Sequence, residues 1–172
     1  SFNPKYAPAV FELAQLYTRQ GRLNDAAGLY QKWLELCGTQ DMKDTPKFSY
    51  HLGLLYNKLG EYEKARAVFT KLIDMMPDNA SVFHGLGTAL NGLARHDQAI
   101  PFLKQALQLS PNYLHACYEL AVAFEHTGAE QEAEQTLKAA VKINPENADA
   151  FLRLGSSSDA IWQANMNASN PA

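Results

Sequence analysis

One pattern of residues returns every 34 positions along most of this 172-residue chain. Four stretches align: Leu13-Ala14-x2-Tyr17, Leu52-Gly53-x2-Tyr56, Leu86-Gly87-x2-Leu90 and Leu120-Ala121-x2-Phe124. Four residues beyond each comes a helix breaker or its stand-in: Gly21, Gly60, Ala94 and Gly128. Five further on sits a small residue, Ala26, Ala65, Ala99 or Ala133, and four beyond that a large one, Tyr30, Phe69, Leu103 or Leu137. The later units close on proline loops, Met76-Pro77-Asp78-Asn79, Ser110-Pro111-Asn112-Tyr113 and Asn144-Pro145-Glu146-Asn147. Between the first and second units the period is 39, so five extra residues lie near 38–45. A fixed period of this length means repeated supersecondary units, none of which buries its apolar face alone, so neighbours must stack.

Within each unit, apolar residues recur at i, i+3/i+4 and i+7, stop, and recur again. That is the signature of two amphipathic helices joined by a tight turn. The spacing predicts helices at 7–20, 23–37, 46–59, 62–75, 80–93, 96–109, 114–127 and 130–143, with a ninth starting near 148. The alanines fall where helices approach closely, and Leu13, Leu52, Leu86 and Leu120 are expected on the buried face. Pro101 falls in the second turn of its helix, where loss of the bond to the Asp97 carbonyl predicts a local distortion.

These motifs resemble those of the tetratricopeptide repeat family, W-x2-L-G-x2-Y…A-x3-F…P over 34 residues. The likeness runs over residues 3–155. It departs at the first signature position, where Val10, Ser49, Phe83 and Cys117 replace tryptophan, and at Trp33, which occupies a position that favours a small residue. The resemblance implies an all-α fold, a right-handed superhelix of hairpins, acting as a protein-interaction module. The units run over about 7–40, 46–79, 80–113 and 114–147, with a partial one at 148–155 and a tail at 156–172.

In that family the first helix of each unit lines a concave channel that takes peptides. Carried over position by position, the resemblance implies a groove of Phe11, Gln15 and Arg19, then Lys47, Tyr50, Leu54 and Asn57. It continues through His84, Thr88 and Asn91 to His115, Tyr118, Val122 and Glu125. Pro8, Thr18, Lys58, Ser81, Gly92 and His126 share those helix faces. The aromatic or histidine rungs Phe11, Tyr50, His84 and Tyr118 offer area at low entropic cost, and the amides suit a peptide backbone. The lysines and asparagines with which some relatives clamp a chaperone's terminal carboxylate are replaced here by Phe11, Gln15, His51, Ser81 and Gly85, which argues against that adaptor role.

Composition narrows the function further. The net charge of −3 disfavours a nucleic-acid or anionic-membrane surface built on bulk charge. Residues 1–86 carry ten Lys/Arg and nine Asp/Glu, whereas 87–172 carry five and nine. No run of about 18 apolar residues, the length needed to span a membrane, is present. Cys37 and Cys117 lack the spacing of a metal or redox pair and read as small buried hydrophobes. The five histidines show no HxxH or HExxH spacing, and no nucleophile elbow or phosphate loop is present, so neither metal, cofactor nor catalytic residue is assigned. Histidines near the channel are expected to make binding depend on pH around 6–7.

Asn3-Pro4-Lys5-Tyr6 aligns with the closing loops, and Ala148–Gly155 opens a unit that stops halfway, as in a piece of a longer array. For the tail two readings stand: a degenerate capping helix, or a tethered ligand in which Trp162 and Met166 enter the groove of this molecule or a neighbour. The function expected is capture of a peptide or partner helix. The alternatives are a non-catalytic recruiting segment of a larger enzyme and a self-assembling scaffold.

Overall fold

The computed structural model describes residues 6–37 and 44–143. Eight helices follow the repeat: α1 Ala7–Arg19, α2 Leu23–Cys37, α3 Thr45–Lys58, α4 Tyr62–Met75, α5 Ala80–Gly92, α6 His96–Leu109, α7 Leu114–His126 and α8 Glu130–Ile143. No described residue lies in a strand. α6 continues unbroken through Pro101, whose side chain is exposed, so the expected distortion does not interrupt the helix. The ninth helix, most of the five-residue insertion and the tail lie outside the described residues.

The turn inside each hairpin is built the same way four times. The residue after the cap adopts a left-handed conformation: Gly21, Gly60 and Gly128 at φ of 77°, 75° and 77°, and Ala94 at 56°. The next N–H then reaches back five residues to the aromatic or leucine position of the motif, as Arg22 N–H does to the Tyr17 carbonyl at 2.9 Å. Glu61 to Tyr56, Arg95 to Leu90 and Ala129 to Phe124 repeat that bond at 2.9 Å. These bonds satisfy helix-end carbonyls that would otherwise lack a partner.

Small residues then let the helices close on one another. Ala26, Ala65 and Ala99 are fully buried, and Ala133 nearly so. The Phe69 ring lies against both Gly53 of α3 and Gly85 of α5; a Cβ on Gly53 would stand 2.8 Å from it. Leu103 sits equally close to Gly87. α3 makes close backbone approaches to α5, and α5 to α7, while successive second helices make none comparable. First helices crowded on one side and second helices splayed on the other give a solenoid whose first helices line the inner face.

The expected burial of Leu13 is corrected. Leu52, Leu86 and Leu120 are 4%, 3% and 4% exposed because the second helix of the preceding hairpin covers each, but Leu13 is 40% exposed. No described helix packs on that side of α1. Leu16 and Tyr6 are exposed beside it, and α1 is held instead by Val10, Phe11 and Ala14.

Trp33 is fully buried and stacks on Phe48 at a centroid distance of 3.9 Å. The large ring at a small-residue position thus fills the joint beside which the sequence carries its extra residues.

Ala94 is the one non-glycine among the four left-handed residues, a conformation that costs an alanine about 1 kcal/mol. Ala94→Gly should therefore raise unfolding stability by about 0.5–1 kcal/mol, and Gly128→Ala should lower it by about 1 kcal/mol. Urea denaturation checks both. An Ala99→Leu change, which has no room, should cost about 1–3 kcal/mol in the same assay.

Candidate functional site

The inner face is not uniform. α1 stands further from α3 than α3 from α5, and the rings of Phe11, Tyr30, Phe48 and His51 fill the space between. Two concavities open over this wider joint. One, of about 160 Å³ and open to solvent, is lined by Gln15, Thr18, Arg19, Leu54 and Lys58, as the repeat positions predict. Tyr30, His51 and Leu55 complete it and were not among the expected lining residues. The other, of about 100 Å³, is bordered by Pro8, Phe11 and Lys47 with Ala7, Glu12, Asp44 and Phe48.

Phe11 borders the second of these. Its ring is 7% exposed, packs edge-on against His51 and Phe48, and carries the Lys47 ammonium 3.7 Å from its centroid. It is a wall of the groove and not a ring held out to a ligand. Burial, then the nearby Lys47 charge, pushes the His51 imidazole below its ordinary pKa, favouring its neutral form.

Further along, the aromatic rungs are largely engaged with their neighbours. Tyr50 is half-buried, hydrogen-bonds to Ser81 of the next unit, and lies near the rings of His51 and Phe69. Burial raises its phenol pKa. His84 is held between Tyr113, whose hydroxyl lies 3.2 Å from Nδ1, and Thr88, whose hydroxyl lies 3.4 Å from Nε2. His115 is exposed, its ring 6.2 Å from that of His84. Tyr118 is half-buried against Ala121, Leu137 and Val141. Val122 is half-buried, while Glu125 and His126 are exposed; the His126 ring stacks 4.2 Å from His96.

The two asparagines do structural work the sequence reading did not foresee. Asn57 Nδ2 donates to the Gly85 carbonyl at 2.9 Å, and Asn91 Nδ2 donates to the Glu119 carbonyl at 2.9 Å and its carboxylate at 2.8 Å. Both bonds span 28 residues and tie one first helix to the next. Asn91 Oδ1 lies 3.2 Å from His96 Nδ1. An asparagine repeated at the full 34-residue period, Asn57 and Asn91, each reaching the equivalent carbonyl 28 residues on, is the signal that identifies them.

With this geometry in place, the class is an all-α solenoid of stacked helical hairpins. Three tetratricopeptide repeat family models match the sequence, over residues 9–43, 44–112 and 90–154. The chain belongs to the tetratricopeptide repeat family, a class of protein-interaction modules. No curated protein sequence matches the chain significantly. Among solved structures, MamA (residues 41 to the end) from Desulfovibrio magneticus RS-1 superimposes with a TM-score of 0.76 at 21% identity, covering 95% of this chain and 89% of that one. YrrB, described as a TPR protein with an unusual peptide-binding site, gives 0.67 at 27% identity over 86% and 74% of the two chains. The first TPR of Spaghetti (RPAP3) bound to the HSP90 peptide SRMEEVD gives 0.64 at 23% identity over 67% and 92%.

Two outcomes follow from the site's internal bonding. Burial, with a smaller contribution from His115, holds the His84 pKa down at about 4 against an ordinary 6.5. The unfolded chain therefore takes up the proton first, so stability is full above about pH 6.5 and falls as the pH drops toward 4. The expected loss is about 2–3 kcal/mol, and His84→Gln should flatten the curve of melting temperature against pH over that window. The titration of this histidine thus lies below the expected pH 6–7 range. Asn91→Ala should lower stability by about 1–3 kcal/mol in urea denaturation, since it severs a bridge between α5 and α7.

Proposed function

We propose that this protein captures an extended peptide segment or partner helix along the face lined by α1, α3, α5 and α7, and that binding rather than catalysis is its task. The observation that carries this reading is the concavity between α1 and α3. There Leu54 offers an apolar surface beside Gln15, Arg19 and Lys58, none of which has a hydrogen bond or ion pair among the described residues. Elsewhere on the face, Asn57, His84 and Asn91 already spend bonding capacity on their own fold. Polar groups with spare capacity around an apolar floor suit a peptide, whose backbone supplies donors and acceptors and whose side chains fill the depression. The peptide-binding descriptions of YrrB and of the RPAP3 repeat domain support the same use of the fold.

In this reading Gln15, Arg19, Leu54 and Lys58 form the principal contact. Thr88, His115, Val122 and Glu125 extend it toward α7, while Phe11, Tyr50 and Tyr118 shape the wall. A displayed peptide library selected on the full chain supplies a ligand. Leu54→Ala and Gln15→Ala should each weaken that ligand about tenfold in fluorescence anisotropy, with circular dichroism showing intact helix content. Lys71→Ala, on the exposed surface of α4, should leave affinity unchanged. Equal affinity for Leu54→Ala and the parent protein would show that the ligand binds elsewhere.

A further inference from the structure

We infer that the groove selects for the order and spacing of charge, taking a peptide with an acidic side chain over α1 and α3 and a basic one over α7. This rests on the groove reading above and adds the ligand's chemistry. Arg19 and Lys58 occupy the same repeat position on consecutive first helices, are exposed, and border the same concavity. Among the described residues neither makes an ion pair, although Arg22, Lys64, Arg66, Arg95 and Lys138 each do. A cation in a helix's last turn complements the helix dipole, which accounts for each residue singly. It does not account for both facing one depression in a chain whose net charge is −3.

The opposite end reverses the sign. Glu125 is exposed in the last turn of α7, where the dipole disfavours an acid, and it has no ion-pair partner among the described residues. Glu119 adds a second carboxylate at the seam of α5 and α7. Between the two ends, the α5 lining residues Ser81, His84, Thr88, Asn91 and Gly92 carry no Lys, Arg, Asp or Glu. At the second concavity Lys47 shares the lining with two acids, Glu12 and Asp44, whereas the lining of the first holds Arg19 and Lys58 and no acid. A surface charged at both ends and neutral in the middle fixes the register of a ligand more than its affinity. Neighbouring packed helices stand about 8–10 Å apart, so α3 and α7 are separated by about 20 Å. At roughly 3.3 Å per extended residue, the acid and base of the ligand lie about six to eight residues apart.

The test uses the full chain and an array of amidated peptides of about twelve residues, with Leu and Tyr in a Ser background. One Glu and one Lys are placed from about two to about ten residues apart, in both chain directions. Glu-only, Lys-only and uncharged versions, and free-acid copies, complete the set. Peptides with a separation of six to eight should bind about tenfold tighter than uncharged ones at low salt, the difference shrinking as salt rises. Arg19→Glu with Lys58→Glu should abolish the gain from Glu, and Glu125→Lys the gain from Lys, with helix content unchanged. Charge-blind binding, a best response to Lys-only peptides, or indifference to the double substitution would overturn this inference and leave the groove reading standing. Binding confined to free-acid copies would assign Arg19 and Lys58 to a terminal carboxylate and overturn the internal acid. Binding by no peptide would overturn both.

Discussion

The insertion of Phe69 between Gly53 and Gly85 is the contact on which the rest of the array depends. One ring joins α4 to the first helix of its own hairpin and to the first helix of the next, and it fits because neither glycine carries a Cβ. Leu103 against Gly87 repeats the device one unit on. Close packing of this kind draws first helices together while second helices diverge, so curvature follows from which side chains are missing. The asparagine bridges from Asn57 and Asn91 then fix successive first helices against sliding.

Where that device is relaxed, a concavity opens. Between the first and second units the period lengthens from 34 to 39 residues, Trp33 takes a position that elsewhere holds leucine or alanine, and α1 stands away from α3. Four aromatic rings fill the depth of the joint, and the larger concavity lies over them. Gln15, Arg19 and Lys58 around it make no hydrogen bond or ion pair among the described residues, whereas Asn57, His84 and Asn91 at the tighter joints are engaged with their neighbours. In the proposed reading, structural regularity and binding divide the inner face between them.

The helices and turns were legible in the sequence because they depend on local spacing. Both ends of all eight helices fall within about one residue of those the period predicts, and Ala94 takes the left-handed turn that its alignment with glycine demands. For the candidate groove, which residues share the inner face was legible by position, but what each side chain packs against was not. Phe11 and Tyr50 occupy lining positions, yet whether a ring faces solvent or a neighbour depends on the next unit's side chains, which a one-dimensional period does not encode. Leu13 illustrates the same limit, since its equivalents are buried by a preceding helix and it has no such described neighbour. Tyr30 and His51 enter the concavity only because α1 and α3 are spread, a consequence of the lengthened period that spacing alone does not translate into distance.

The central claim is that the inner face at the first joint is the ligand-binding surface. An amide 1H–15N correlation spectrum of the full chain, recorded as a library-selected peptide is added, tests it residue by residue. The account predicts shift changes concentrated at Gln15, Arg19, Leu54 and Lys58, extending along the face to Thr88, Val122 and Glu125. Changes centred instead on the outer helices, at Lys71, Lys104 and Lys138, with the α1–α3 joint silent, would contradict it.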